Sequence, residues 1–194
     1  MIKETTNILI CGVGGQGIIL ASKLLADAAL NAGYDAKQSE VHGMSQRGGS
    51  VVSYVRFGKE IHSPLINYGE ADFIIAFEKL ESLRYLDYAS KSALFIIADE
   101  QITPSTVTSG SAKYPLDVAE VINNAGFSLK ILDAAKIAAE VGNNKTVNTI
   151  LLGALSRFLN IDKNIWIKTF KEILPEKIFD VNISAFDKGC SSGI

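Results

Sequence analysis

Residues 7–33, NILICGVGGQGIILASKLLADAALNAG, constrain the fold more than any other stretch of the chain. Asn7–Cys11 is a short apolar run that ends at glycine and reads as a buried parallel strand. Gly12–Gly17 is a glycine-rich turn. Ile18–Asn31 then repeats apolar side chains at helical spacing, with Ile18, Ala21, Leu24, Leu25, Ala28 and Ala29 on one face. Gly33 is placed to stop that helix, because glycine takes the left-handed cap without a steric cost. Strand, glycine turn and helix in this order form the opening unit of a wound α/β sheet.

The turn Gly12-Val13-Gly14-Gly15-Gln16-Gly17 fits G-x-G-x-x-G. Its first glycine permits the tight turn and its second lets a phosphate approach the backbone. Its third lets helix and strand pack closely, while the helix N-terminus offers N–H groups to an anion. Ile18-Ile19 stand where a P-loop needs Lys-Ser/Thr, so this is no Walker A loop. Three readings stay open: a dinucleotide site, a tight turn that binds no nucleotide, and a site for a phosphate or carboxylate supplied with a partner. The dinucleotide reading needs an acid about 20 residues on to hold a ribose. Glu40 lies 23 residues after Gly17. However, Asp35–Ser39 makes a poor buried strand, and a hairpin follows it rather than a second strand–helix unit.

The segment Val41–Ser50, VHGMSQRGGS, stands where that second unit would begin. Gly43, Gly48 and Gly49 let the backbone come close to another molecule. Arg47, between Gln46 and Gly48, presents a planar cation suited to carboxylate or phosphate. The plainer reading is a surface turn with Arg47 in a structural ion pair. His42 suits a hydrogen-bonding loop residue better than a catalyst.

Further along, Val51–Phe57 is β-branched and aromatic, and Gly58-Lys59 can turn it into a hairpin with Glu60–Ser63. Phe73–Phe77 reads as another buried strand, and Leu94–Ala98 and Leu129–Asp133 as further strands. Helices are expected near Lys79–Tyr88 and over Leu116–Asn124, with Pro115 at a helix start and Gln101–Lys113 as a loop or linking strand. From Ala134 onward the pattern is helical: Ala134–Val141, Val147–Leu159, Lys163–Leu174 and Ile178–Lys188. Val147, Ile150, Leu151, Ala154, Leu155 and Phe158 form a core-facing stripe, and Trp166 and Phe170 share a face. The expected fold is α/β: a Rossmann-like, mostly parallel sheet with an inserted hairpin and a helical C-terminal cap. One domain spans 1–194, with the sheet in 1–133 and the helical part in 134–190.

Composition narrows the function classes. The 194 residues are 47% hydrophobic and 21% charged with net charge −2, a globular profile without a basic nucleic-acid footprint. No apolar run reaches the roughly 20 residues of a membrane span, and the N-terminus is no signal peptide, so a cytoplasmic protein is expected. There are two cysteines, Cys11 and Cys190, far apart in the chain, and two histidines, His42 and His62. That supply argues against a disulfide framework and against a zinc or iron–sulfur site made by this chain alone. Cys190 and the residues after it read as a polar tail.

Three stretches, GVGGQGIILASKLLADAA, SEVHGMSQRGGSVVSYVRFG and SPLINYGEADFIIAFE, resemble the gamma-type subunits of the 2-oxoacid:ferredoxin oxidoreductases. KYPLDVAEV, ILDAAKIAAEVGNNKTVNTILLGAL and NISAFDKG extend the likeness over nearly the whole chain. Within that superfamily the run Glu40–Gly49 is similar to the small beta subunits of indolepyruvate ferredoxin oxidoreductases. The resemblance implies a complex that oxidatively decarboxylates arylpyruvates to arylacetyl-CoA with ferredoxin as acceptor. It implies a large alpha subunit bearing thiamine diphosphate, Mg and [4Fe–4S] clusters, and coenzyme A as acyl acceptor. It implies no catalytic residue on this chain, which alone would be inactive and bind no cofactor. By the same resemblance, Gly12, Gly14, Gly15, Gln16, Gly17 and Arg47 would meet coenzyme A phosphates. Glu40, His42, Gly43, Gln46, Arg47, Gly48 and Gly49 would face the partner or the active site. A gamma subunit serving pyruvate, a branched 2-oxoacid or 2-oxoglutarate is the first alternative. A free-standing NAD(P) oxidoreductase is the second.

Overall fold

The computed structural model describes residues 5–42, with His42 by its backbone alone, and residues 48–193. The strands are β1 (Thr5–Val13), β2 (Asp35–His42), β3 (Ser50–Gly58), β4 (Ala71–Ala76), β5 (Ala89–Ala98) and β6 (Ser128–Leu132). The helices are α1 (Ile18–Asn31), α2 (Lys79–Arg84), α3 (Ser105–Thr108), α4 (Val118–Asn124), α5 (Ala134–Val141), α6 (Val147–Ser156), α7 (Lys163–Ile173) and α8 (Glu176–Cys190). Short 3-10 turns cover Leu86–Tyr88 and Asn144–Thr146.

The strands form one six-stranded sheet in the order β2-β3-β1-β4-β5-β6. β1, β4, β5 and β6 pair in parallel, and β3 runs antiparallel to both β1 and β2. β3 is therefore the one reversed strand. The apolar runs that announced central strands are those buried on both faces. Ile8, Leu9 and Ile10 of β1 and Ile74 of β4 are all sealed from solvent. One face carries α1 and the helices of the C-terminal cap, where Trp166, Phe170 and Phe186 make mutual ring contacts. The other face buries Leu9, Cys11, Ile74, Phe95 and Ile97 against Val118 and Ile122 of α4. Among the described residues no helix is long and apolar enough to cross a membrane.

Several expectations need correction. The hairpin partner of β3 is β2, not Glu60–Ser63. Both edges of β3 are already occupied, by β1 and β2, so a third strand has no edge to join. The Ile61 N–H goes instead to the Asp35 carboxylate at 2.7 Å. Asp35–Ser39 is a strand after all, but an edge strand with a single neighbour, so it needs no apolar run. Lys79–Tyr88 divides into α2 and a 3-10 turn, and α4 starts at Val118 with Leu116 exposed. The Gln101–Lys113 stretch contains α3. Cys190 is the last residue of α8, with its sulfur 3.3 Å from the Ser156 hydroxyl, rather than part of a tail.

Candidate functional site

In a wound sheet, a ligand crevice opens at the carboxyl ends of the strands where the winding changes direction. Here that place lies between β1 and β4, and the Gly12–Gly17 loop sits in it. A Cβ on Gly12 would come 2.8 Å from the Phe77 Cβ, so the first glycine is needed for close strand packing. Gly17 caps α1 at φ 85, the left-handed region, and has no side chain to cap the helix. A Cβ there would also come 3.0 Å from the Asn148 Nδ2. Gly15 faces open space, at φ 107.

Gln16 closes the loop. Its Oε1 accepts from the Val13 N–H at 2.8 Å, and its Nε2 donates to the Phe77 carbonyl at 2.9 Å. Both ends of the amide are thus spent on holding the turn to the ends of β1 and β4. These bonds hold the turn in shape, and the Gly15 and Gly17 N–H groups donate to no acceptor among the described residues.

The structure joins the two candidate stretches. The Gly14 N–H donates to the Gly49 carbonyl at 2.8 Å, and the Gly48 N–H donates to the Gly14 carbonyl at 3.4 Å. The β1–β3 ladder therefore continues past the strand ends, so the glycine loop and the end of the VHGMSQRGGS run form one edge of the site. Gly43, Gln46 and Arg47 lie outside the described residues. His42 pairs with Val51 and Glu40 with Ser53 in the β2–β3 ladder.

Two clefts flank the loop. One, of about 500 Å³, is lined by Gly14, Gly15, Gly17, Ile18, Ile19, Leu20 and Val51 on the β3 side. The other, of about 810 Å³, lies toward the helical cap. Its walls include Gly15–Gly17, Glu100, Ile102, Lys145 and Asn148.

Two buried acids of the α2 region hold these flanks, and neither stood out in the sequence. Glu81 accepts from the Ser50 hydroxyl and from the Arg84 Nε at 2.9 Å, which pins the start of β3. Glu78 caps α2 through the Glu81 N–H at 3.0 Å. It also accepts from the Ile102 N–H at 3.1 Å and the Tyr114 hydroxyl at 2.6 Å, fixing the Ile102 wall of the larger cleft. Burial, and then the neighbouring Glu78, push the Tyr114 phenol well above its usual range. It therefore stays a neutral donor to that carboxylate. Burial likewise lifts the Cys11 thiol, with Glu81 and Glu78 adding to the shift.

The geometry bears directly on a dinucleotide. The ribose acid of such a fold ends the strand beside β1. Here that neighbour is β3, which runs the wrong way, and Glu40 sits on β2, two positions out and so about 10 Å from β1. Among the described residues no three His, Cys, Asp or Glu side chains gather where they could hold a metal.

Comparison with known proteins adds the following. The sequence pattern of the family described as pyruvate ferredoxin/flavodoxin oxidoreductase matches residues 7–192. Indolepyruvate oxidoreductase subunit IorB of Thermococcus kodakarensis is 44% identical over 190 residues, covering 94% of this chain and 93% of that protein. A solved keto/oxoacid ferredoxin oxidoreductase gamma subunit from Geobacter sulfurreducens superposes with TM-score 0.72 at 21% identity, over 96% of each chain. The 2-oxoglutarate:ferredoxin oxidoreductase from Magnetococcus marinus, solved with 2-oxoglutarate, coenzyme A and succinyl-CoA bound, superposes with TM-score 0.75 at 22% identity. That superposition covers 97% of this chain but 31% of the other, so this chain spans about a third of that longer protein.

Proposed function

The chain belongs to the pyruvate ferredoxin/flavodoxin oxidoreductase family, and we propose that it is the small subunit of an indolepyruvate:ferredoxin oxidoreductase. The full-length likeness to the Thermococcus indolepyruvate subunit carries this reading. In it, a large alpha subunit joins this chain in the cytoplasm, and the pair converts indolepyruvate or another arylpyruvate to an arylacetyl-CoA. Thiamine diphosphate with Mg supplies the carbanion chemistry, [4Fe–4S] clusters carry single electrons to ferredoxin, and coenzyme A takes the acyl group. A [4Fe–4S] cluster takes four thiolates, and this chain has two cysteines, so the clusters are assigned to the partner.

This chain's part is to position and to bind. Residues 1–194 act as a single unit. Its loop, Gly12 and Gly14–Gly17, meets coenzyme A phosphates, with the Gly15 and Gly17 N–H groups as donors and Gln16 holding the loop in shape. Arg47 adds charge to the same phosphates. Glu40, His42, Gly43, Gln46, Arg47, Gly48 and Gly49 face the partner. The Gly14–Gly49 pairing supports treating loop and segment as one surface.

Anaerobic purification of the tagged chain from its own cells, followed by assay of the complex with indolepyruvate, phenylpyruvate, pyruvate and 2-oxoglutarate, tests the reading. Indolepyruvate is expected to give the highest kcat/KM. A preference for pyruvate, a branched 2-oxoacid or 2-oxoglutarate would favour a gamma subunit of another 2-oxoacid enzyme. Recovery of the chain without a cluster-bearing partner would sink the complex altogether. In the assembled complex, Arg47→Ala is expected to raise the coenzyme A KM roughly tenfold with the 2-oxoacid KM unchanged. An unaltered coenzyme A KM would remove Arg47 from that role. The free-standing NAD(P) alternative predicts micromolar NADH binding by the isolated chain; the displaced Glu40 argues against it.

A further inference from the structure

Glu81 is a buried acid to which the coenzyme reading gives no part. It is 4% exposed, and Glu78, three residues before it, is 1% exposed. Glu81 pairs with half-exposed Arg84, while Lys79, the other cation of α2, goes to Asp99 at 2.7 Å. Taking two neighbouring carboxylates out of water is costly, and apolar side chains often replace a buried ion pair without loss of stability. Stability alone therefore gives no reason for an acid at this position, whereas its bonds do.

The Ser50 hydroxyl donates to the Glu81 Oε2, and the Arg84 Nε donates to the Oε1 at 2.9 Å, so both oxygens are engaged. Ser50 pairs with Val13 at the end of the β1–β3 register. One residue further, Gly14 and Gly49 carry the pairing into the glycine loop. Gln16 grips the other side of the same place, through the Val13 N–H and the Phe77 carbonyl. Phe77 and Glu81 belong to one short run that leaves β4 and starts α2. That run holds the glycine loop by a carbonyl and the end of β3 by a carboxylate, which sets the spacing between the two. A ladder held by backbone bonds alone frays at its last pairs. The Ser50–Glu81 bond, between residues 31 apart in the chain, closes this one.

We propose that Glu81 is a positioning residue: through Ser50 it fixes Gly48 and Gly49 against Gly14 and so shapes the edge of the loop that meets the coenzyme. The anchoring stands on these bonds, and its effect on turnover rests on the coenzyme reading.

The assembled complex provides the test. Ser50→Ala is expected to raise the coenzyme A KM roughly tenfold, as for loss of a hydrogen bond to a charged group, with kcat and the 2-oxoacid KM unchanged. Ser50→Thr keeps the hydroxyl on a β-branched side chain that suits a strand, and is expected to restore the parent KM. Glu81→Gln leaves one acceptor for two donors and is expected to raise the same KM. The double substitution is expected to be no worse than the stronger single one, as for two groups that act together. Tyr85→Phe, which removes a hydroxyl 3.4 Å from that of Ser50, is expected to leave the KM unchanged. A rise in both KM values with a fall in kcat would mark a merely structural bond and overturn the role. Additive effects of Ser50→Ala and Glu81→Gln, or an equal effect of Tyr85→Phe, would overturn it too. Hydrogen exchange of the Gly14 amide in the isolated chain separates the anchoring from the coenzyme reading. Ser50→Ala is expected to speed that exchange and Ser50→Thr to restore it, and unchanged exchange would overturn the anchoring. If the coenzyme A KM responds to Arg47→Ala but not to Ser50→Ala, the positioning role falls and the coenzyme reading stands. If neither substitution moves that KM, the coenzyme reading fails and the positioning role falls with it.

Discussion

Cys11 shows how a single residue's surroundings decide its chemistry. It ends the apolar run of β1 and is completely buried. Its sulfur lies 3.6 Å from the Glu81 carbonyl, and burial, then Glu81 and Glu78, raise its pKa well above the usual thiol range. A raised pKa leaves less thiolate at any given pH, and burial excludes the reagent, so both effects act in the same direction. In the folded chain at pH 8, iodoacetamide is expected to modify half-buried Cys190 first and leave Cys11 untouched. Mass spectrometry showing equal labelling of the two would contradict this. The glycines at 12 and 17 were legible from their spacing because a tight turn and a left-handed cap are local demands, whereas the approaches to Phe77 and Asn148 that also bar a side chain there are not. The place of Asn148, against Gly17 on the cleft wall, was not legible. GNNKTVNT reads as a polar run before a helix, and nothing nearby in sequence says that the run faces α1.

Among the elements, the α6–α8 pair makes the sharpest case. Gly153 lies against the Phe186 carbonyl and Gly189 against the Ile150 carbonyl, so each helix touches the other's backbone. A Cβ at either position would overlap a carbonyl that belongs to a helix and cannot swing away. Gly153→Ala is therefore expected to destabilise the chain by about 2–3 kcal/mol, the usual scale of overpacking, despite alanine's better helix propensity. Urea denaturation measures it. A neutral or stabilising result would mean that the helices separate freely. The stripe over Val147–Phe158 announced a buried helix correctly, because its periodicity is internal to the helix. Only Phe158, 42% exposed beyond the end of α6, departs from it. The β2–β3 pairing was misread because Glu60–Ser63 also looked capable of a strand. Which strand β3 accepts is settled by the long-range contest for its two edges.

Over the whole molecule, protection should follow the strand order. β1 and β4 lie inside the sheet and are buried on both faces, whereas β2 is an edge held by β3 alone. Hydrogen exchange of the isolated chain is expected to be slowest in β1 and β4 and much faster in β2. Equal protection of β2 and β1 would mean that a second molecule covers that edge. The sequence by itself determined the α/β class, the opening strand–turn–helix, the central strands and the helical cap. Each follows from apolar periodicity, propensity and turn chemistry acting over a few residues. Only the tertiary structure decided that β3 runs backwards between β2 and β1. That reversal draws Gly48 and Gly49 onto Gly14 and moves Glu40 out of reach of a ribose. It also took the tertiary structure to set the start of α6 beside the start of α1, making a cleft from residues far apart in the chain. Strand order and helix docking are set by which surfaces bury best against one another, and that competition spans the entire chain.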